Sequence, residues 1–253
     1  MPGEAELRFY AELNDLLAPE LRGGTVSYRF DVGPTVKDAI ESFGVPHTEV
    51  DVVLADGEPV GWDHRLVDGE RIAVYPVFEA LDVGPVGRLR PEPLRDPRFV
   101  VDVHLGTLAR DLRLLGFDTL YGNDWDDDRL ARLSVEERRT LLTRDRGLLK
   151  RRAITHGILI RADDPVDQVA EVLDRLQLRD RVRPFARCLA CNAVPEEVDT
   201  ATVGDRVPAD VARTQPRVRL CPGCGRVYWG GSHSDRLAAR VAGLLSHRGA
   251  GRR

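Results

Sequence analysis

Short stretches of alternating apolar and polar residues dominate the first third of the chain. Leu7-Arg8-Phe9-Tyr10-Ala11 and Val26-Ser27-Tyr28-Arg29-Phe30 each read as half-buried strands that can pair antiparallel. From Thr35 the period changes. Val36, Ala39, Ile40 and Phe43 fall on one helical face, with Thr35 placed to cap its start and Gly44 to end it. Val52-Val53-Leu54 runs into Asp56-Gly57, a hairpin turn pair, before Val60. Residues 69–75 supply a last strand.

The resulting order, β-β-α-β-β, predicts a β-grasp over residues 1–81. A linker follows at 82–97, where Gly84, Pro85, Gly87, Pro91, Pro93 and Pro97 cluster. From Arg98 the pattern becomes short apolar runs alternating with amphipathic helices, the signature of a parallel α/β sheet. Phe99-Val100-Val101, Asp118-Thr119-Leu120-Tyr121, Thr140-Leu141-Leu142-Thr143 and Ile158-Leu159-Ile160 are the predicted strands. Between them lie a helix with Leu105, Leu108, Ala109, Leu112 and Leu115 on one face, stopped by Gly116, and a helix from about Asp127. A short basic helix spans Gly147 to Ala153, and a last helix carries Val166, Val169, Ala170, Leu173 and Leu176. This gives a parallel-sheet α/β domain over 98–183, a cysteine module with a C-terminal helix over 184–245, and a flexible basic tail at 246–253.

Bulk composition changes the picture little, but the distribution of charge changes it a good deal. No apolar run approaches about 18 residues, so no membrane span is expected, and the N-terminus lacks the basic start and apolar core of a signal peptide. The expected compartment is the cytoplasm. The net charge of −4 conceals a split. Residues 1–96 hold 9 Lys and Arg against 19 Asp and Glu, a net of −10; residues 97–253 hold 28 against 22, a net of +6. Only the second part suits a polyanion, and its cations are nearly all Arg, which can fork onto phosphate.

Topology gives the aspartates their interest. In an open parallel sheet the C-terminal strand ends share one edge, where ligands bind. Asp102, Asp145, Asp163 and Asp164 each follow a predicted strand, and Asp126-Asp127-Asp128 sits in a loop reaching a helix start on that edge. Converging carboxylates repel one another unless a cation neutralises them, and an all-oxygen set suits Mg²⁺ or Mn²⁺. Two blander roles compete: Asp164 before Pro165 is a good helix cap, and Asp128 can cap its own helix. Arg110 and Arg113 off the apolar helix face, Arg144 and Arg146 beside Asp145, and Lys150, Arg151 and Arg152 form a basic surround. Of these, Arg110, Arg144 and Arg146 are the candidate phosphate contacts.

All four cysteines come late, as Cys188-Leu-Ala-Cys191 and Cys221-Pro-Gly-Cys224. Two such knuckles form a four-thiolate set for Zn²⁺, and four filled positions make the metal structural. Beyond it, Tyr228 and Trp229 can stack on bases and His233 can meet phosphate or move a proton; core packing is the preferred reading for Trp229.

With these residues in view, the chain resembles a known family. Residues 98–245 are similar to the Mut-seven C-terminal RNase domain family, a PIN-like fold with an attached zinc ribbon. The likeness rests on Asp102 with Leu105-Gly106-Thr107-Leu108-Ala109-Arg110, on Leu114-Leu115-Gly116-Phe117-Asp118-Thr119 and on Leu142-Thr143-Arg144-Asp145-Arg146. It rests also on Arg187-Cys188-Leu189-Ala190-Cys191-Asn192, on Cys221-Pro-Gly-Cys224-Gly225, and on Tyr228-Trp229 with Gly231-Ser232-His233. Residues 5–80 resemble the ubiquitin-like, ThiS/MoaD-type unit that often precedes that domain in bacteria. Carrier proteins of that type end in an exposed Gly-Gly, whereas this chain continues through Pro76-Val77-Phe78, which favours docking or scaffolding and a possible protein partner.

The resemblance implies a metal-dependent ribonuclease. Its metal-binding acids fall on Asp102, Asp127 or Asp128, Asp145, and Asp163 or Asp164, with RNA as partner. Many PIN domains include a Glu among these acids, and every candidate here is Asp. The alternatives are a noncatalytic RNA-binding adaptor built on the zinc ribbon and arginines, or an interaction scaffold centred on the ubiquitin-like unit.

Overall fold

The structure is a computed structural model, and residues 2–77, 89 and 98–248 are described in it. In chain order the strands are β1 (Gly3–Phe9), β2 (Thr25–Phe30), β3 (Val50–Ala55), β4 (Glu58–Pro59), β5 (Arg71–Pro76), β6 (Phe99–Val101), β7 (Thr119–Leu120), β8 (Thr140–Thr143), β9 (Gly157–Leu159), β10 (Glu196–Asp199), β11 (Arg217–Leu220) and β12 (Val227–Tyr228). The α-helices are α1 (Val36–Ser42), α2 (Gly106–Leu114), α3 (Asp127–Glu136), α4 (Arg146–Leu149), α5 (Pro165–Arg175), α6 (Ala209–Thr214) and α7 (Ser232–Ser246). Except for Leu89, the expected linker at 82–97 lies outside the described residues, as do residues 249–253 of the expected tail.

The chain divides into two compact units, one of Met1–Arg95 with Asp126–Leu159 and one of Asp96–Trp125 with Ile160–Arg253. In the first, β1 to β5 form a sheet in the order β2-β1-β5-β3-β4, with β1 and β5 parallel at its centre and β1–β2, β3–β4 and β3–β5 antiparallel. That is the β-grasp. Strict alternation along β1 sends Ala5, Leu7 and Phe9 into the core. Thr35 caps α1 by accepting from the Asp38 N–H at 3.1 Å, and α1 buries Val36, Ala39 and Ile40. The Phe43 ring closes the layer edge-on against Phe9 and Tyr28, at 5.7 and 5.8 Å between centroids. Asp56 and Gly57, at φ 48° and 92°, make the tight β3–β4 turn with both central residues left-handed.

The same unit contains α3, β8, α4 and β9. Strand β8 is buried at all four positions and pairs in parallel with β9 through Leu141↔Gly157, Leu142↔Ile158 and Thr143↔Leu159. Burial on both faces explains why Leu141 and Leu142 stand side by side with no polar residue between them. Two expected bounds shift: the fourth strand starts at Gly157 and ends at Leu159, and the basic helix is the single turn Arg146–Leu149. Asp145 caps that turn one residue earlier than the hydrophobic pattern alone indicated.

In the second unit β6 and β7 pair in parallel through Phe99↔Thr119 and Val100↔Leu120. A 3-10 turn at Val103–Leu105 feeds α2, which buries Leu108, Ala109, Leu112 and Leu114 and stops at Gly116, φ 96°. Helix α7 joins α2 through Arg240, whose Nε donates to Asp111 Oδ1 at 2.7 Å while Nη2 pairs with Oδ2 of the same buried carboxylate. Strands β10, β11 and β12 form an antiparallel sheet in that order, whose small core is Val203, Val207, Val211 and Val218. The sequence pattern did not predict this sheet or α6. Both are short and half-exposed, and carry little periodic signal.

Candidate metal centre and acidic strand ends

The cysteine knuckles come together as their spacing requires. One sulfur from each of Cys188, Cys191, Cys221 and Cys224 lies within 4.8 Å of the others, with Sγ–Sγ distances of 3.6 Å for Cys188–Cys224 and 3.3 Å for Cys191–Cys221. A tetrahedral zinc site with Zn–S bonds of about 2.3 Å sets its sulfurs roughly 3.8 Å apart, so these two pairs stand close to the spacing that would hold the ion. All four are free thiols. Burial opposes ionisation of Cys188, but the Tyr228 hydroxyl at 3.0 Å and the backbone N–H groups of Cys191 and Ala190 outweigh it and bring that thiol down to about 6. Burial pushes Cys191 up to about 12 and raises Cys224 as well. One sulfur is thus ready as thiolate, and a bound zinc ion would supply the charge that ionises the rest. The hydroxyl of Tyr228 is therefore committed to the metal centre.

The Cys188–Cys191 knuckle is bonded to β7. Arg113 is buried: its Nε donates to Thr119 O at 2.8 Å, and its Nη1 donates to the carbonyls of Ala190 and Leu189 at 3.0 and 3.3 Å. This corrects its assignment to the basic surround, since the long side chain reaches inward off α2 and spends its donors on main-chain oxygens. Burial lowers the Arg113 pKa, and Cys191, Cys188 and Asp118 act against that. Asn192, buried at φ 72°, accepts from the Thr119 N–H and donates to Asp118, both at 2.8 Å. Its role was hidden because a single Asn after a knuckle carries no pattern.

Each candidate acid has a definite local setting. Asp102 directly follows β6 and is 7% exposed, at the N-cap position of the 3-10 turn without capping it through its side chain. Asp145 follows β8. Its N–H donates to Thr143 Oγ1 at 2.9 Å and its Oδ1 accepts from the Gly147 N–H at 2.6 Å. The buried Thr143 thus aims the aspartate that follows it, a use of the Thr-Arg-Asp element that spacing alone does not reveal. Asp164 caps α5, accepting from the Val166 N–H at 2.7 Å with Pro165 at the first helical position, and its charge raises the Arg240 pKa after the larger effect of the Asp111 bond. Asp126, not Asp128, caps α3, accepting from the Arg129 N–H at 2.8 Å. Asp128 falls inside the first turn, so its side chain points out of the helix. There Arg151 pairs with both Asp128, at 2.5 Å, and Asp127, at 3.5 Å. Asp163 lies in the bend before α5. Arg110 and Arg144 are exposed, whereas Arg146 uses Nη1 to donate to Leu16 O and Gly44 O.

Residues 97–241, more than half of the chain, match the Mut7-C RNAse domain, and residues 3–82 match the Mut7-C ubiquitin domain. The chain belongs to the Mut7-C RNAse domain family. No curated protein matches it. All the candidate aspartates and all four cysteines fall inside the Mut7-C match. Among the described residues no helix is long and apolar enough to cross a membrane.

The Mut7-C segment also holds a groove of about 710 Å³ between the ribbon sheet and the start of α7, lined by Phe185, Arg217, Tyr228, Trp229, His233 and Leu237 among others. Trp229 is 36% exposed and lines this open groove, so the expectation that it packs in a core is corrected. His233 is exposed on the same groove.

Proposed function

We propose that this Mut7-C protein is a metal-dependent ribonuclease. The observation that carries the reading is the RNAse-domain match over residues 97–241, within which a buried Asp102 follows one strand and a fixed Asp145 follows another. In this reading Asp102, Asp145, Asp127 or Asp128, and Asp163 or Asp164 hold Mg²⁺ or Mn²⁺, for which carboxylate oxygens are the fitting donors. Such an ion, when bound, neutralises charge growing on the scissile phosphate and activates water.

The chain's own groups do the rest. Thr143 and the Gly147 N–H hold Asp145 in one orientation before substrate arrives. Arg151 is a resident counter-charge for Asp127 and Asp128. Those carboxylates are 51% and 82% exposed, so the ion pairs are weak and open readily to a competing cation. Arg110 and Arg144 contact phosphates, and Arg146, with one nitrogen committed, adds to the field. The zinc ribbon is structural. The reading retains the division at 1–81, 82–97, 98–183 and 184–245 with a terminal tail, and a cytoplasmic setting.

The groove favours a second reading, in which the ribbon binds single-stranded RNA without cutting it. Trp229 would stack on a base there, a contact indifferent to sequence. The two readings part in one assay. Zinc-loaded protein is incubated with labelled single-stranded RNA and Mn²⁺, beside the Asp102→Asn, Asp145→Asn double variant. The nuclease reading expects cleavage that the double variant loses. Binding without cleavage leaves the adaptor, and cleavage that survives both changes points to another nuclease.

A further inference from the structure

Hydrogen bonds join the ubiquitin-like sheet unit to the stretch Arg146–Leu159, among them five with a main-chain group at one end. Two side chains reach one way. Arg146 Nη1 donates to Leu16 O at 3.1 Å and Gly44 O at 3.2 Å, and Lys150 Nζ donates to Glu41 O at 2.5 Å. Two reach the other way. His47 Nε2 bonds Ile154 O at 2.9 Å, and Glu49 Oε1 accepts from the Leu159 N–H at 2.7 Å. His47 and Glu49 are 7% and 3% exposed, and Ile154 and Leu159 are buried with them.

Buried groups of this kind cannot be uncovered and covered cheaply, because a buried donor or acceptor left alone loses its full solvation. The face made by the end of α1 and the following 3-10 turn at His47–Glu49 is therefore already taken. Gly44 is shaped for the contact: its φ is +86°, and a Cβ there would lie 2.5 Å from Arg146 Nη1. The stretch being held needs holding. Helix α4 is a single turn, too short to persist by itself. Its first residue is Arg146, directly after Asp145, whose carboxylate caps the same turn.

We propose that the partner of the ubiquitin-like unit is this chain's own α4–β9 stretch, and that Glu49, Gly44 and Arg146 are positioning residues that fix Asp145. The unit acts as a resident brace. Its catalytic consequence rests on the nuclease reading, while the brace itself does not.

The test is hydrogen–deuterium exchange on the full zinc-loaded chain, alongside RNA cleavage. In Glu49→Ala, and separately in Gly44→Ala, amides of Gly147–Leu159 are expected to exchange at least tenfold faster, with those of β1 and β2 unchanged. Glu49→Gln, which keeps an acceptor oxygen, restores protection. Lys150→Ala, which loses one bond near the surface, gives a smaller increase and serves if a stronger variant misfolds. In cleavage, kcat falls with KM unchanged. Unchanged exchange over Gly147–Leu159 in Glu49→Ala, Gly44→Ala and Lys150→Ala overturns the brace. Faster exchange in a protein whose natural form cuts no RNA upholds the brace and removes only the nuclease reading.

Discussion

Arg113 and Asn192 hold one peptide unit between them: Arg113 donates to the carbonyl of Thr119 at 2.8 Å, and Asn192 accepts from the N–H of the same residue at 2.8 Å. Both side chains are buried, and Thr119 is fully so. The pair makes the first cysteine knuckle part of the β6–β7 edge. Asn192→Ala strands a buried N–H and takes a donor from Asp118, which costs about 2 kcal/mol. In a protein of this size that lowers Tm by roughly 4–8 °C. Asn192→Asp keeps the acceptor but sets a carboxylate beside Asp118, and is expected to be no better. Calorimetric melting of zinc-loaded variants checks this, and an unchanged Tm in both would deny the linkage.

Chelation bears on the same joint. The ribbon sheet has a core of four valines with partly buried neighbours, so a bound ion would carry much of its stability. Removing zinc should speed amide exchange across residues 184–230 while leaving that of the β-grasp unchanged, which NMR resolves by segment. Exchange in the ribbon that does not change on metal removal contradicts this.

The thiols add a pH signature. Cys188 sits near 6 against an ordinary 9.0, so its ionisation stabilises the zinc-free fold above that ordinary value, and the stabilisation is lost as pH falls through about 6. At pH 7 this thiol has already given up its proton, so zinc loading should release fewer than four protons, rising toward four below pH 6. Tyr228→Phe removes the strongest bond holding the thiolate and should bring the count at pH 7 closer to four. Zinc titrations in buffers of different ionisation enthalpy measure it, and a count independent of both pH and Tyr228 would show that the hydroxyl does not set the thiol.

Much of this was legible in the sequence because the signals were local and repeated. The Thr35 cap, the Asp56-Gly57 turn, the Gly116 stop and the two knuckles each rest on chemistry within a few residues, and each stands where the pattern placed it. What was not legible is long-range. Nothing near Arg113 in the chain says that its guanidinium will meet carbonyls at 189 and 190, or that Arg146 will reach Leu16 and Gly44. A polar residue off an apolar helix face reads as solvated until the neighbouring element is known. Trp229 differs the other way, since aromatic bulk suggests a core and the indole instead lines an open groove.

Arg151 should compete with metal. If Asp127 or Asp128 serves the ion, Arg151→Gln frees both carboxylates and tightens Mn²⁺ binding about threefold or more, in line with the loss of a weak exposed pair. Asp127→Asn and Asp128→Asn tell which carboxylate matters. Calorimetric Mn²⁺ affinity that is the same in all three variants removes these two acids from the site.

The proposed function stands on Asp102 and Asp145 serving one ion. Electron paramagnetic resonance of Mn²⁺ added to zinc-loaded protein reads this directly, because bound Mn²⁺ loses the sharp signal of the free ion. The natural chain should bind Mn²⁺, and Asp102→Asn alone and Asp145→Asn alone should each abolish that binding with Tm and zinc content unchanged. Full Mn²⁺ binding in both single variants would contradict the shared site.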